Sequence, residues 1–326
     1  VFAATHTMTS QDVVLKVMRP EFAADPTQVK RFMNEARISS GLMHPNTVRV
    51  FDFGQTDDGL LYLVMERLHG EELSDILKRD APLDPGRAMH IAIGLLKSLS
   101  EAHAAGLVHR DLKPGNVFLV RVHGEEEYVK LIDFGIAKSV ESGAEEDLTR
   151  TGMAIGTPKY MSPEQGRAEA LDGRSDLYAL GVLLFEMLSG RLPFTAASAM
   201  QMILKHMQEP PPDLRTLAPA GLPPELAHVV MKSLAKSPWE RFRDADEMRE
   251  HLEQILEGMG QLHRRSVSSR LRAAALASSD SLGERGPITG ERQKTGAQDD
   301  ERAIDNIETC AVSTPASVGV VAAAAS

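Results

Sequence analysis

The stretch His109–Asn116 reads HRDLKPGN, and the tripeptide Asp133–Gly135, DFG, follows it further along the chain. These segments contain an acid that can accept a proton from a hydroxyl group, Asp111, and two residues that offer oxygen ligands, Asn116 and Asp133. A D-x-x-x-x-N pattern alone is common in surface loops and carries little information. The full run followed by D-F-G is far more specific, and it indicates a site that combines a general base with a bound divalent cation.

The same residues resemble the catalytic loop and D-F-G segment of the protein kinases. The segment 156–164, GTPKYMSPE, is similar to the G-T-x-x-Y-M-A-P-E of the serine/threonine-specific members, with Ser162 in place of the usual alanine. Over residues 1–257 the chain resembles the bacterial Hanks-type, or eukaryotic-like, serine/threonine kinases. This resemblance implies an α+β, two-lobed fold, with a small mixed β lobe that contains one helix and a larger, mainly helical lobe.

The resemblance also implies a function in bacterial signal transduction. The γ-phosphoryl group of ATP would pass to serine and threonine hydroxyls of protein substrates, and the activation loop would be autophosphorylated. ATP and Mg²⁺ are the implied cofactors, with Mn²⁺ as an alternative ion. Residues 1–257 would form the kinase domain, with a small lobe, 1–67, and a large lobe, 68–257. Residues 258–326 contain no aromatic residue, which predicts a low-complexity, disordered tail.

Roles within the catalytic loop follow from the resemblance. Asp111 would orient the substrate hydroxyl and accept its proton, and Lys113 would neutralise charge on the transferred phosphoryl group. Asn116 and Asp133 would hold the metal ion.

Lys16 lies in an apolar, strand-like run at 12–18 that contains V-V-L-K-V, where a lysine is costly unless it is paired. The resemblance implies that it holds the α- and β-phosphates and forms an ion pair with Glu35, in a helix that begins at Pro26. From the residues alone, a sheet-edge lysine that extends to water and a solvated glutamate remain alternatives.

The segment 61–70, LYLVMERLHG, resembles the last strand of the small lobe and the hinge. By this match Met65 is the gatekeeper, although plain core filling is compatible with that position. The backbone carbonyl of Glu66 and the N–H of Leu68 would pair with adenine, and Glu72 is a weaker candidate for a ribose contact. Three apolar residues would enclose the adenine ring: Val1, Val14 and Phe118.

The activation segment, 133–164, has a polar and acidic middle that requires a contact to order it. Thr149 and Thr151 are the predicted phosphoacceptors, with solvated loop threonines as the alternative. The resemblance implies that Arg110 pairs with the phosphorylated residue. It also implies that Thr157 hydrogen-bonds the catalytic aspartate and lysine.

Two further residues are implied to be structural. Glu164 needs a cation if its helix buries it, and the resemblance supplies Arg241 in P-W-E-R-F. Asp176, near the start of an apolar helix at 175–190, would support the catalytic-loop backbone, with a simple helix N-cap as the alternative.

The glycine-rich loop of the kinases, G-x-G-x-x-G-x-V, is absent, and Val1 matches the valine at its end. We therefore expect a chain that is truncated before or within this loop. A pseudokinase-like ATP-binding or scaffold module is the alternative if the native chain lacks the loop. A small-molecule phosphotransferase is disfavoured by the GTPKYMSPE segment and by Arg241.

The composition of the chain argues against several other classes of protein. The chain has 326 residues, 46 acidic against 36 basic, and a net charge of −10, which argues against a nucleic-acid or membrane-surface binder. The single cysteine, Cys310, excludes a disulfide framework and fits a reducing compartment. No apolar stretch is long enough to span a bilayer, so we expect a cytoplasmic kinase domain. Anchoring through residues beyond this chain and the oligomeric state stay open.

Overall fold

A computed structural model describes residues 1–122, 125–134, 158–219, 221–260 and 320–322. The chain divides into one compact unit of residues 1–258 with 320–326, and a second unit of residues 259–319. The predicted phosphoacceptors Thr149 and Thr151, together with Thr157, lie outside the described residues.

The small lobe is built on an antiparallel sheet in the order β3-β4-β2-β1-β8. Its strands are β1 (Phe2–His6), β2 (Asp12–Val17), β3 (Val50–Gln55), β4 (Leu61–Glu66) and β8 (Val320–Ala322). Strand β2 pairs with both β1 and β4, which places Lys16 opposite Leu63 and Val14 opposite Met65. The first two strands, β1 and β2, form an antiparallel hairpin.

Two helices accompany this sheet: a single turn, α1 (Pro20–Ala23), and α2 (Pro26–Ser40). Asp25 caps α2 by accepting a hydrogen bond from the N–H of Thr27, as is usual for an aspartate before a helix that starts with proline. Phe32 and Ala36 are fully buried against the sheet. Because α2 presents this apolar face to the sheet, Glu35 lies at the edge of the contact, towards the catalytic loop.

The large lobe is mainly helical. Its helices are α3 (Leu73–Asp80), α4 (Pro85–Ala104), α5 (Pro163–Gly166), α6 (Gly173–Ser189), α7 (Ala199–Gln208), α8 (Pro224–Ser233) and α9 (245–260). Helix α6 is buried along nearly its whole length, since it is apolar on all sides and has no face suited to water. It ends at Gly190, whose φ of +71° favours glycine. The apolar helix predicted at 175–190 is therefore confirmed.

A second sheet contains β5 (Gly70–Glu72), β6 (Val117–Val122) and β7 (Glu125–Leu131). Strand β5 was not predicted. Its last residue, Glu72, pairs with Phe118 and is also the N-cap of α3, which begins at Leu73. The pairing depends on Gly70, because a Cβ there would clash with the carbonyl oxygen of Leu119.

Replacing Gly70 with alanine should therefore destabilise the fold. The added methyl group would force β5 away from β6, and overpacking of this kind costs about 1–3 kcal/mol. Thermal or urea unfolding of Gly70→Ala measures the loss. Gly258→Ala is the matched control, because that helical position has open space around it and alanine should be neutral or slightly stabilising there. Equal stability of the two variants would contradict this account of β5.

Candidate active site

The catalytic loop lies between α4 and β6, and a buried carboxylate fixes its backbone. Asp176 accepts hydrogen bonds from the backbone N–H of His109 at 2.8 Å and of Arg110 at 2.9 Å. The Nε2 atom of His103, near the end of α4, lies 2.8 Å from the same carboxylate. With only 1% of its surface exposed, Asp176 is more than an N-cap, since it joins helix α6, helix α4 and the loop.

The conformation of the loop turns Asp111 towards two polar neighbours. The Nζ atom of Lys113 lies 2.7 Å from Oδ2 of Asp111. A short 3₁₀ turn, Pro114–Asn116, returns the chain, so that Nδ2 of Asn116 donates to the backbone carbonyl of Asp111 at 2.7 Å. Because the amide nitrogen faces Asp111, the amide oxygen, the atom that would bind a metal ion, is turned to the opposite side.

Asp133 and Phe134 follow β7, and their side chains make contacts in different parts of the site. Asp133 has a φ of +56° and lies 2.8 Å, through Oδ1, from Nζ of Lys16. Phe134 is buried and packs on the ring of His109, with ring centroids 5.0 Å apart. Burial lowers the pKa of His109, so its imidazole is neutral near pH 7 and acts in packing.

Glu35 lies near a different cation from the one that the resemblance implies. Its Oε1 is 3.5 Å from Nη1 of Arg110, whereas Lys16 is paired with Asp133. The implied Lys16–Glu35 ion pair is therefore not the arrangement in the described residues. The reason is geometric: the catalytic loop brings Arg110 to Glu35, and the end of β7 brings Asp133 to Lys16.

The residues that the resemblance places around adenine lie in different parts of the structure. Met65 is buried in the core of the small lobe, with Val14 and Leu68 packed against the same core. Val1 precedes β1 and is 78% exposed, and Phe118 is paired with Glu72 in the second sheet. A small cavity behind Met65 is lined by Ser39, Val48, Val50, Leu63, Met65, Asp133 and Phe134.

The side chain of Glu66 makes a contact that sequence reasoning missed. It forms an ion pair with Lys130 of β7, at 2.5 Å, and accepts a hydrogen bond from the backbone N–H of Arg49. Because these partners come from separate strands, no local pattern in the sequence indicates them. Because the side chain of Glu66 is engaged in these contacts, the adenine contact implied by the resemblance would involve its backbone.

The end of the activation segment is held by a buried ion pair. Arg241 donates from Nη1 and Nη2 to the two carboxylate oxygens of Glu164, both at 2.7 Å, and both side chains are almost fully buried. Burial alone would raise the pKa of Glu164, but the hydrogen bonds and charge of Arg241 outweigh it and hold that pKa below its usual value. The carboxylate is therefore charged, and the segment is fixed to the large lobe.

A second contact in this region, Tyr160 with Glu186, was not predicted. The hydroxyl of Tyr160 donates to Oε2 of Glu186 at 2.5 Å. Burial is the main cause that raises the pKa of both groups. The hydrogen bond gives a partner to an acid that is half-buried in helix α6.

Three comparisons place these features beside known proteins. The family model described as "Protein kinase domain" matches residues 1–254. Serine/threonine-protein kinase pkn3 of Myxococcus xanthus is 43% identical over 257 residues, which cover 78% of this chain and 47% of that protein. Serine/threonine-protein kinase PknB of Mycolicibacterium smegmatis is 40% identical over 253 residues, 76% of this chain and 39% of that protein. The chain thus spans about half, or less, of these relatives.

Among solved structures, the kinase domain of Mycobacterium tuberculosis PknI is similar, with a TM-score of 0.60 and 27% sequence identity. The match covers 77% of this chain and 89% of that structure. This likeness and the two-lobe arrangement confirm the predicted fold class. Within the described residues, no helix has the length and apolar character needed to cross a membrane.

The buried ion pair between Arg241 and Glu164 should contribute strongly to the free energy of unfolding. Arg241→Met leaves the carboxylate of Glu164 buried without its cation, which should cost about 3–5 kcal/mol. Chemical unfolding at pH 7 measures this loss. Because the folded-state pKa of Glu164 is lowered, the contribution of the pair exists above the unfolded-state pKa and is lost as the pH falls through the folded-state value.

Two variants serve as controls for this experiment. Arg243→Met removes an exposed arginine that pairs with Asp244, and it should change stability by less than about 1 kcal/mol. Adding Glu164→Gln to Arg241→Met should recover part of the loss, because the uncompensated charge is gone. Equal effects of Arg241→Met and Arg243→Met would show that the pair is unimportant.

Proposed function

This chain belongs to the protein kinase family, and on that premise we propose that it transfers the γ-phosphoryl group of ATP to serine and threonine hydroxyls of protein substrates. One observation carries the proposal: Asp111, Lys113 and Asn116 are in mutual contact in a loop whose backbone is fixed by Asp176. The catalytic domain would comprise residues 1–257. Residues 258–326 would form a tail that returns to this domain at Val320–Ala322, which pair with β1.

Each residue of the loop has a role in this reaction. Asp111 accepts the proton of the attacking hydroxyl and holds its oxygen in line with the phosphoryl group. Lys113, 2.7 Å from Asp111, supplies positive charge where the transferred group gains negative charge. Thr157 would complete the acceptor side of the site. The loop is fixed before reaction, so catalysis comes mainly from positioning.

The donor set fits ATP bound with Mg²⁺. Among the described residues, no three His, Cys, Asp or Glu side chains gather around one point. Asn116 and Asp133 would therefore hold the ion together with phosphate oxygens and water, which is the coordination that Mg²⁺ prefers, and Mn²⁺ suits the same ligands. When bound, the ion offsets the negative charge of the phosphates. Lys16 lies beside Asp133 and would hold the α- and β-phosphates.

The nucleotide base would lie between the two lobes. Met65 and Val14 are neighbours across β4 and β2, and Leu68 packs on the same core. The backbone of Glu66 and of Leu68 would recognise adenine. The other contacts that the resemblance implies, from Val1, Phe118 and Glu72, belong to the same proposed site.

Regulation would act through Arg110. Its Nη1 lies 3.5 Å from Glu35, and its buried Nε has no hydrogen-bond partner among the described residues. A phosphate on Thr149 or Thr151 would satisfy this guanidinium and draw it from Glu35. Lys16 and Glu35 would then form the pair that the resemblance implies.

Label transfer from γ-labelled ATP tests the activity. With Mg²⁺, the wild-type protein should phosphorylate serine or threonine in itself or in an added protein. Asp111→Asn should lower the rate by about 100-fold or more, since the general base is lost while the size of the side chain is kept. Label on tyrosine only, or equal labelling in both proteins, would overturn the proposal.

Phosphosite mapping tests the regulation. Thr149→Ala and Thr151→Ala should remove label from the activation segment and lower the rate on an added substrate. Arg110→Gln should lower the rate of the phosphorylated protein towards that of the unphosphorylated one, because a neutral amide cannot pair with the phosphate. If the variant with both threonines replaced by alanine phosphorylates the added substrate at the wild-type rate, these two residues are excluded as the switch.

A further inference from the structure

Gln165 contacts the backbone of the catalytic loop from the end of the activation segment. Its amide Nε2 donates to the backbone carbonyl of Arg110 at 2.9 Å. This carbonyl belongs to the peptide bond that joins Arg110 to Asp111. The hydrogen bond therefore acts on the backbone immediately before the proposed general base, across 55 positions of sequence.

A capping box fixes the direction of this contact. Oε1 of Gln165 accepts from the backbone N–H of Ser162 at 2.9 Å, and the backbone N–H of Gln165 donates to Oγ of Ser162 at 3.3 Å. If the amide were turned over, its NH₂ group would face the N–H of Ser162 and its oxygen would face the carbonyl of Arg110. Both contacts would be repulsive, so the network permits only the orientation that donates to Arg110.

Arg110 needs such support because its backbone is strained. Its φ is +63°, in the left-handed region that non-glycine residues rarely adopt. Such a conformation persists where the surroundings hold it from more than one side. Asp176 holds the N–H of Arg110 at 2.9 Å, and Gln165 holds its carbonyl.

The position of Asp111 depends on the backbone conformation of Arg110, the residue before it. Its own N–H donates to the carbonyl of His109 at 2.8 Å, so the turn from His109 to Asp111 is closed locally. Gln165, which directly follows the activation segment, adds a hydrogen bond to this turn through the carbonyl of Arg110. The placement of the base is thereby coupled to the placement of that segment.

We propose that Gln165 is a positioning residue, which sets the orientation of Asp111 by holding the Arg110–Asp111 peptide against the end of the activation segment. The proposal rests on the proposed kinase function for its effect on rate. The structural part, restraint of the catalytic-loop backbone by Gln165, can be measured without activity.

Gln165→Glu separates this role from helix capping. A glutamate keeps the shape of glutamine, and its carboxylate still accepts from the N–H of Ser162, as in the usual capping box. An ionised carboxylate has no hydrogen to donate, so the bond to the carbonyl of Arg110 is lost. Ser162→Ala is the complementary variant, since it removes the hydroxyl acceptor of the box and leaves the donation to Arg110 in place.

We expect Gln165→Glu to lower kcat for peptide phosphorylation about five- to tenfold, the effect of one hydrogen bond of ordinary strength. KM for ATP should stay within twofold, and the melting temperature should fall by no more than a few degrees, because the cap is retained. Ser162→Ala should show the reverse pattern: a lower melting temperature with kcat within twofold of wild type.

Gln201→Glu is the matched control. Gln201 stands three residues after Ser198, and it makes the same kind of contact at the start of α7: its N–H donates to Oγ of Ser198 at 3.2 Å, and its Oε1 accepts from the N–H of Ala197 at 3.3 Å. Both of these partners belong to the start of its own helix, away from the catalytic loop. The change of Gln201 to glutamate should therefore leave kcat at the wild-type value.

Hydrogen exchange by mass spectrometry supplies the readout that does not depend on activity. Gln165→Glu should accelerate exchange in peptides that cover residues 108–113, while Gln201→Glu should not. If the wild-type protein shows no kinase activity and Gln165→Glu still exchanges faster, the positioning role is supported and only the kinase function is refuted. Unchanged exchange, or a kcat within twofold of wild type in an active background, would overturn the role of Gln165.

Discussion

The buried carboxylate of Asp176 is the interaction on which the rest of the site depends. It receives hydrogen bonds from two successive backbone N–H groups of the catalytic loop and contacts the imidazole of His103. An unpaired charge this deeply buried would be very costly, so these partners must stay in place for the fold to be stable. The loop geometry is therefore tied to the packing of helices α4 and α6, and not to the loop's own conformational preferences.

Around this fixed loop, charges of opposite sign are distributed over both lobes. Lys16 and Glu35 come from the small lobe, whereas Asp133 and Arg110 come from segments that flank the second sheet. Each lobe thus presents one cation and one anion to the other. Alternative pairings within such a set differ little in Coulomb energy, because the same charges are matched in each case. In the proposed regulation, a phosphate on the activation segment would change which partners meet.

The activation segment is held at its end by contacts of a different kind. Arg241 neutralises the buried Glu164, and Tyr160 donates to the half-buried Glu186, so both acids are paired. Through Gln165 the same short region reaches the backbone of Arg110. Buried polar networks of this type fix one arrangement, because any partial arrangement leaves a group without a partner. The end of the segment and the catalytic loop consequently form one structural unit.

The sequence by itself determined the fold class and the residue types of the site. Local chemistry was sufficient for these: HRDLKPGN with DFG identified the loop, Pro26 marked a helix start, and Gly190 marked a helix end. The contact of Gln165 with the catalytic loop was not predicted. Only the tertiary structure decided which partners meet: Lys16 with Asp133, Glu35 with Arg110, Glu66 with Lys130, and the short strand at Gly70. These pairs join residues far apart in the chain, and several cations compete for several acids of equal charge. The choice among them follows from distances that packing sets, and no local pattern records those distances.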